Sequence, residues 1–205
     1  MIFLKKVIIS FALLLLLSNT NCSVFQTISN IGRLKFKISN VSDFTLNGIA
    51  ISNKSQMSDF SAIDLLKLSS AFSQGSLPVS FILNVEAVNP NDGTGGYPST
   101  NATLKSFAWR LLLDERETVS GNISQPLDVP GTGQAAAIPL QVNLNLMQFF
   151  NDKSYENLLN LALNLGGYGS RTSQFTLYAK PVVSTMLGDI SYPQEIKIVD
   201  FQFTK

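Results

Sequence analysis

The chain of 205 residues has no histidine and one cysteine, so it can form neither a Ser-His-Asp triad, nor an imidazole metal site, nor an intramolecular disulfide. Charged residues make up 14% of the sequence, below the roughly 25% of average proteins. The formal net charge of +1 leaves no basic excess, so nucleic acid is not an expected partner.

Residues 1–22 have the pattern of a bacterial secretion signal that ends at a lipid-modified cysteine. A basic pair precedes an apolar run from Val7 to Leu17, which is shorter than the about 20 residues that a transmembrane helix needs. A short polar stretch then leads to Cys22. We therefore predict cleavage before Cys22 and lipidation of that residue. An ordinary signal peptide with a chance cysteine is the alternative, because Asn21 stands where a lipobox usually has Gly, Ala or Ser.

Cleavage at this site would divide the chain into a signal peptide (1–21), a lipidated cysteine with a polar tether (22–32) and one domain (33–205). The mature chain would carry 13 basic and 14 acidic side chains, a formal charge of −1. Acyl chains contribute about 0.8 kcal/mol per buried methylene, so more than one chain anchors a protein stably. Ser23 follows the cysteine where Asp would resemble an inner-membrane retention signal, which favours the outer membrane of a didermal bacterium. The sequence therefore predicts an envelope lipoprotein that its N-terminal lipid anchors to a membrane.

The main pattern after the tether is alternation of apolar and polar residues with a period of two, which predicts β-strands with one buried and one wetter face. The alternating runs are 34–39, 79–87, 107–113, 138–146, 175–179 and 196–203. A change of phase after Ile198 predicts a bulge in the last run. Turn-forming residues separate the strands at 91–96, 114–115 and 128–133. This succession of strands and turns favours antiparallel sheets.

Two segments have apolar residues at helical spacing instead. The first is Ser58–Gln74, with Ser58 or Asp59 as its N-cap and Gly75 after its end, and its apolar residues are Phe60, Ile63, Leu66 and Phe72. The second is Asn151–Leu165, which Gly166-Gly167 ends, and its apolar residues are Tyr155, Leu158, Leu159, Ala162 and Leu165. We expect both helices to pack on a sheet. The predicted fold is mainly β: an antiparallel β-sandwich, immunoglobulin- or fibronectin-like, with two amphipathic helices inserted.

The segment Pro78–Asn91, an alternating strand that runs into Asn89-Pro90-Asn91, resembles the late embryogenesis abundant group 2 family, also called the WHy domain (water stress and hypersensitive response). Later segments resemble the family in the same order: Phe107–Asp114 its second strand and turn, Ser120-Gly121 with Pro126 and Pro130-Gly131 its serine-glycine and proline passage, and Ile138–Leu146 its next strand. The resemblance covers about residues 77–203, and the helix ahead of it is similar to bacterial lipoprotein members. Asp114-Glu115 stands where the family commonly has glycine, so we expect a longer hairpin there.

Elementary chemistry gives the Asn-Pro-Asn tripeptide a structural reason. Pro90 has no N–H and forces Asn89 toward extended geometry, so the strand ladder can end there. Asparagine side chains can bond nearby backbone groups in place of the lost ladder. We therefore predict a structural role for Asn89, Pro90 and Asn91, with ligand binding as the alternative.

A basic group lies near the predicted anchor. Arg33, Lys35 and Lys37 fall on one face of the first predicted strand. Basic groups at this place would meet anionic head groups at about 1 kcal/mol each. The alternative is an ordinary charged edge, which discourages strand-to-strand aggregation.

No pattern in the sequence predicts a catalytic residue, a metal ligand or a cofactor. Asp114, Glu115 and Glu117 cluster, but on a predicted turn, which favours a solvated hairpin tip. Asp92 and Asp128 lack the spacing of a calcium loop. The glycine-rich stretches do not continue into the Gly-Lys-Ser/Thr of a phosphate-binding loop.

These observations favour a non-enzymatic, membrane-anchored module that binds a protein partner as a component or accessory of an envelope assembly. The family resemblance implies a second function, protection of envelope proteins or membranes under water stress. A third is carriage of an apolar ligand between the sheets or beneath the helices. Lipid that co-purifies in a defined ratio would favour the third, and a discrete protein partner would favour the first.

Overall fold

The computed structural model of the protein describes residues 34–94, 99–167, 175–185 and 188–198. The strands of this part are β1 (Lys35–Leu46), β2 (Ile49–Ala50), β3 (Pro78–Val88), β4 (Ala102–Leu113), β5 (Arg116–Gly121), β6 (Leu127–Val129), β7 (Ala135–Asn145), β8 (Phe175–Thr185), β9 (Gly188–Ser191) and β10 (Ile196–Ile198). The helices are α1 (Ala62–Ser73), α2 (Leu146–Phe149) and α3 (Tyr155–Leu165), and a 3-10 turn covers Met57–Asp59. Residues 1–33, with the predicted signal, Cys22, the whole tether and Arg33, lie outside the described residues, as do Phe201 and Phe203 of the predicted bulge.

The strands form two antiparallel sheets. The first has the order β2-β1-β3-β7, and the second has the order β10-β8-β4-β5, with β6 also paired to β4 and β9 to β8. Small helical insertions accompany the sheets. The predicted class, a mainly β antiparallel sandwich with helical insertions, is confirmed.

One apolar core lies between the sheets and extends under α3. In β3 the inward residues at 79, 81, 83, 85 and 87 are all buried, as their alternation predicts. Aromatic rings join the two sheets, with ring centroids 5.3 Å apart for Phe36 and Phe107 and 5.9 Å apart for Phe81 and Phe175. Each such side chain stabilises the fold by about 1.5–3 kcal/mol through burial.

The first strand is longer than its alternation predicts. It continues past Ser39 to Leu46, with register irregularities between Ile38 and Asn40 and again between Ser42 and Thr45. Each irregularity shifts the side-chain phase, so a period of two no longer identifies the strand.

The first predicted helix starts later than expected. Ser61 is the N-cap of α1, rather than the predicted Ser58 or Asp59, because its hydroxyl accepts a hydrogen bond from the Asp64 N–H at 3.1 Å. Asp59 instead ends the 3-10 turn that precedes the helix. The second predicted helix also starts later, because Ser154 caps α3, but its predicted apolar side faces the core and it ends at Gly166.

The β4–β5 hairpin is shorter than the departure from the family's glycine at Asp114-Glu115 led us to expect. Leu113 pairs with Arg116, so Asp114 and Glu115 alone form the turn, and the expectation of a longer hairpin is wrong. Both turn residues have positive φ, 47° and 67°. Two-residue hairpins favour this backbone because its twist matches that of the strands, and Asn-Gly is the pair that adopts it most readily. Asp114 and Glu115 therefore hold a strained conformation.

Replacing Asp114 with Asn and Glu115 with Gly should raise the free energy of unfolding by about 1–2 kcal/mol, because the new pair adopts positive φ with less strain. Urea unfolding of the purified protein measures this. The β1–β2 turn is the matched control, since Asn47 and Gly48 already have φ of 48° and 75°. The reverse change there, Asn47→Asp with Gly48→Glu, should lower stability by a similar amount. Equal stability of wild type and the Asn-Gly variant would contradict the prediction.

Candidate functional sites at the two ends of the sandwich

The sandwich has two ends, which we name from the course of β1. The entry end is where the described chain begins, since Lys35 of β1 pairs with Val88 and Val88 pairs with Ala135. The far end is where β1 stops, beside Val79. The nine residue steps between Val79 and Val88 place the two ends about 30 Å apart.

A buried asparagine network lies at the entry end, where β3 stops. Asn89 and Asn91 are 0% and 3% exposed. The Asn89 Nδ2 group donates to the Thr100 carbonyl at 2.7 Å and to the Val129 carbonyl at 3.3 Å. Its Oδ1 accepts from the Asn91 backbone N–H at 3.1 Å and from Asn91 Nδ2 at 2.8 Å. One amide side chain thus bonds β3, the loop before β4 and the end of β6.

The same network holds the turn after β6 against the loop before β4. The Gly131 N–H donates to Asn101 Oδ1 at 2.9 Å, and its carbonyl accepts from the Ser99 hydroxyl. A Cβ on Gly131 would lie 2.5 Å from the Thr100 carbonyl oxygen, so only glycine fits without a shift of the backbone. Pro90 is half-buried between the two asparagines. These contacts all lie within the protein, which is the geometry of a structural cluster.

The predicted head-group contact is described only in part. Lys35 is exposed at the entry end, and Lys37 Nζ lies 2.9 Å from Glu86 Oε2 on the neighbouring strand. The hydrogen bond from Lys37, followed by one from Ser39, holds the pKa of the Glu86 carboxyl below its usual value. Arg33 lies outside the described residues. Contact of Arg33, Lys35 and Lys37 with a membrane stays a prediction.

Tyr192 marks the place where the described chain enters the sandwich. Its side chain is buried. Burial raises the pKa of Tyr192 to about 12, an effect that the backbone of Leu34 opposes only in part. The backbone of Leu34, the first described residue, therefore lies beside the Tyr192 hydroxyl.

The carboxylates that the sequence groups together are engaged separately. Glu117 forms an ion pair with Arg110 at 2.8 Å, while Asp114 and Glu115 are exposed in the turn. Asp92 accepts hydrogen bonds from Thr94, and Asp128 accepts one from Thr103. Within the described ranges no three acidic, cysteine or histidine side chains form a group that would hold a metal ion.

The far end carries an exposed apolar pair on α1. Ile63 is 66% exposed and Leu66 is 71% exposed, whereas Leu68 of the same helix is fully buried. Leu66 borders a shallow hollow whose other lining includes Asn47 and Gln74. The prediction that Ile63 and Leu66 pack on a sheet is wrong.

Two signals in the sequence bear on these surfaces. The spacing of Ile63 and Leu66 predicts that they share one helix face. It does not predict whether another part of the protein covers that face, because exposed and buried faces have the same period. Pro139 lies within a strand, and proline there is typical of an edge strand, so it could have identified the free side of β7.

No family model and no curated protein matches the chain. Among solved structures, a protein from Archaeoglobus fulgidus is similar at 9% identity over 61% of this chain and 87% of its own, with a TM-score of 0.30. The structural-genomics target SoR45 is similar at 8% identity over 83% and 89% of the two chains, with a TM-score of 0.36. A Bordetella pertussis protein is similar at 12% identity over 80% and 98%, with a TM-score of 0.31. At these identities and TM-scores the likenesses carry no functional argument.

The resemblance to the late embryogenesis abundant group 2 family therefore stays a prediction from the residues quoted for it. Among the helices of the described ranges, none combines the length and the apolar character that crossing a bilayer requires.

Proposed function

We propose that the chain is a bacterial envelope lipoprotein that acts by binding rather than by catalysis, with its far end as the contact for a protein partner. The observation that carries the proposal is the exposed pair Ile63 and Leu66 at the end opposite to the point of chain entry. The proposal also depends on the predicted lipidation of Cys22.

The position of the pair favours a protein partner over the anchoring membrane. The chain from Cys22 reaches the domain at Leu34, so a lipid at Cys22 places the membrane at the entry end when the sandwich stands upright. The far end then points away from that membrane, by about the 30 Å length of β3. An apolar pair at this distance is available to another envelope component.

The surroundings of the pair indicate the chemistry of the partner. Each apolar side chain contributes about 1.5–3 kcal/mol when a contact fully buries it. Next to Leu66, the hollow presents the polar side chains of Asn47, Ser70 and Gln74. A few apolar anchors inside a polar rim are the usual anatomy of a protein–protein contact. The partner is expected to supply apolar side chains flanked by hydrogen-bonding groups.

The experiment compares partner retention by two double variants of the full-length chain, purified from gently solubilised membranes and analysed by mass spectrometry. Ile63→Ser with Leu66→Ser should lower retention of a stoichiometric partner at least tenfold. Ser69→Ala with Ser73→Ala is the matched control, because these exposed residues lie on the same helix. Full retention by the first variant, or absence of any stoichiometric partner of the wild type, would overturn the proposal.

The anchor is tested separately from the binding surface. Metabolic labelling with palmitate should mark the wild-type chain, and Cys22→Ala should remove the label. Equal labelling of the wild type and of Cys22→Ala would overturn the proposed lipidation of Cys22. Unlabelled wild-type chain would instead favour the ordinary signal peptide.

A further inference from the structure

The outer edge of β7 is the longest free strand edge in the described part of the molecule. Strand β7 pairs with β3 along its whole length and with no other strand among the described residues. The phase of this ladder follows from the Leu146 N–H, which donates to the Leu77 carbonyl at 3.0 Å. Because bonded and non-bonded pairs alternate in antiparallel ladders, the even-numbered residues of β7 bond to β3. The odd-numbered residues therefore direct their N–H and C=O groups away from the sheet.

Pro139 fits this phase. It is odd-numbered and pairs with Asn84, so its missing N–H belongs to the outward side and the ladder to β3 loses no bond. Ala137, Gln141 and Asn143 keep outward N–H groups on either side of it. An extended chain alongside β7 would therefore meet a nearly complete row of donors and acceptors.

The β7 edge also lacks charge. None of its residues from Ala135 to Asn145 is charged. The β1 edge differs, since it carries Lys35, Lys37 and Asp43 and has two register irregularities. Charges, bulges and prolines are the usual features that prevent edge-to-edge pairing, and of these β7 has only Pro139.

We propose that β7 pairs with β7 of a second copy of this chain, antiparallel about a two-fold axis. A two-fold axis brings identical groups together, so a charged edge would repel itself whereas this uncharged edge does not. The best register places Ala137 opposite Asn143, Ala135 opposite Asn145 and Pro139 opposite Gln141. It forms about ten backbone hydrogen bonds, because each copy of Pro139 removes one of about twelve.

Neighbouring registers are poorer, which makes the pairing specific. A shift that places Pro139 opposite its own copy removes two bonds at the axis and shortens the ladder. A shift the other way, with Gln141 on the axis, also leaves about eight bonds. Since small Ala135 and Ala137 face amide side chains in the best register, no bulky groups collide there.

Cysteine cross-linking of the full-length chain in its own cell envelope tests this pairing. Ala137→Cys with Asn143→Cys should give a disulfide-linked dimer after mild oxidation with copper phenanthroline. Directly opposite residues of a bonded pair have Cα atoms about 5.5 Å apart, within disulfide range. Each single cysteine variant should give at least fivefold less dimer, because 137 faces 143 and not itself.

Two controls make the result decisive. Thr176→Cys with Val182→Cys has the same six-residue spacing on the outer face of β8, which is an interior strand. This variant should give no more disulfide-linked dimer than the wild type, whose only cysteine is Cys22. Gln141→Pro in the cysteine background removes a second outward N–H and should lower the dimer at least fivefold. Dimer no greater than in the β8 control, equal cross-linking by a single variant, or no effect of Gln141→Pro would overturn the proposal.

Discussion

Replacing Asn89 with alanine should lower the free energy of unfolding by about 3–5 kcal/mol. The change removes the donor for the carbonyls of Thr100 and Val129 and the acceptor for two N–H groups of Asn91. Asn89 is completely buried, so water does not readily replace these bonds. Each buried polar group left without a partner costs about 1–3 kcal/mol, and relaxation of the loops recovers part of the total.

Urea unfolding of the purified protein, followed by tryptophan fluorescence, measures the Asn89 effect. Asn143→Ala is the matched control, because Asn143 is exposed on β7, and it should change stability by less than about 0.5 kcal/mol. Asn89→Asp should be as damaging as Asn89→Ala, because a carboxylate lacks the two donors and buries a charge. A loss below about 1 kcal/mol for Asn89→Ala would show that the network is not needed for the fold.

How far the sequence predicts the fold depends on whether the side-chain period stays uninterrupted. Strand β3 is predictable because its inward residues are apolar without a break from Val79 to Ala87. Strand β1 is predictable only to Ser39, because its first bulge brings Val41 to the core and its second restores the original phase at Phe44 and Leu46. The short strands β2, β6 and β9 have too few residues for any period to appear. Regular elements are therefore read from the sequence, and interrupted or short ones are not.

The asparagine network shows the same limit for a site. The sequence gives Asn89 a local reason to end a strand, through Pro90. Its bonds to Thr100 and Val129, 11 and 40 residues away, depend on how the sheets bring the loops together. No local pattern contains that information, so the burial of Asn89 and the close approach of Gly131 become visible only in three dimensions.

The prediction that Ile63 and Leu66 of α1 pack on a sheet is wrong for a different reason. Ile63 and Leu66 have the spacing of a buried helix face, but the fully buried Leu68 lies on the opposite side of the helix. A short helix beside the end of a sandwich has little sheet surface to cover both of its apolar stripes. Tertiary placement, not periodicity, decides which stripe stays exposed, and the same placement makes the pair a candidate contact.

Gly131→Ala should lower the free energy of unfolding by about 3 kcal/mol, near the upper end of the usual cost of overpacking. The added methyl would lie 2.5 Å from the oxygen and 2.6 Å from the carbon of the Thr100 carbonyl. Those are backbone atoms, and Asn89 holds the same carbonyl at 2.7 Å, so neither side can move without breaking a bond of the network. Chemical denaturation measures the loss, with an exposed neighbour, Thr132→Ala, as the control.

The Gly131 and Asn89 substitutions should also interact. Removal of the Asn89 side chain frees the Thr100 carbonyl to shift. The loss of stability caused by Gly131→Ala should therefore be smaller in the Asn89→Ala background than in the wild type, by at least about 1 kcal/mol. The double variant and the two single variants complete this cycle in the same denaturation experiment. Additive costs would mean that the loops move independently, and Gly131→Ala as mild as Thr132→Ala would mean that the turn after β6 yields to the methyl group.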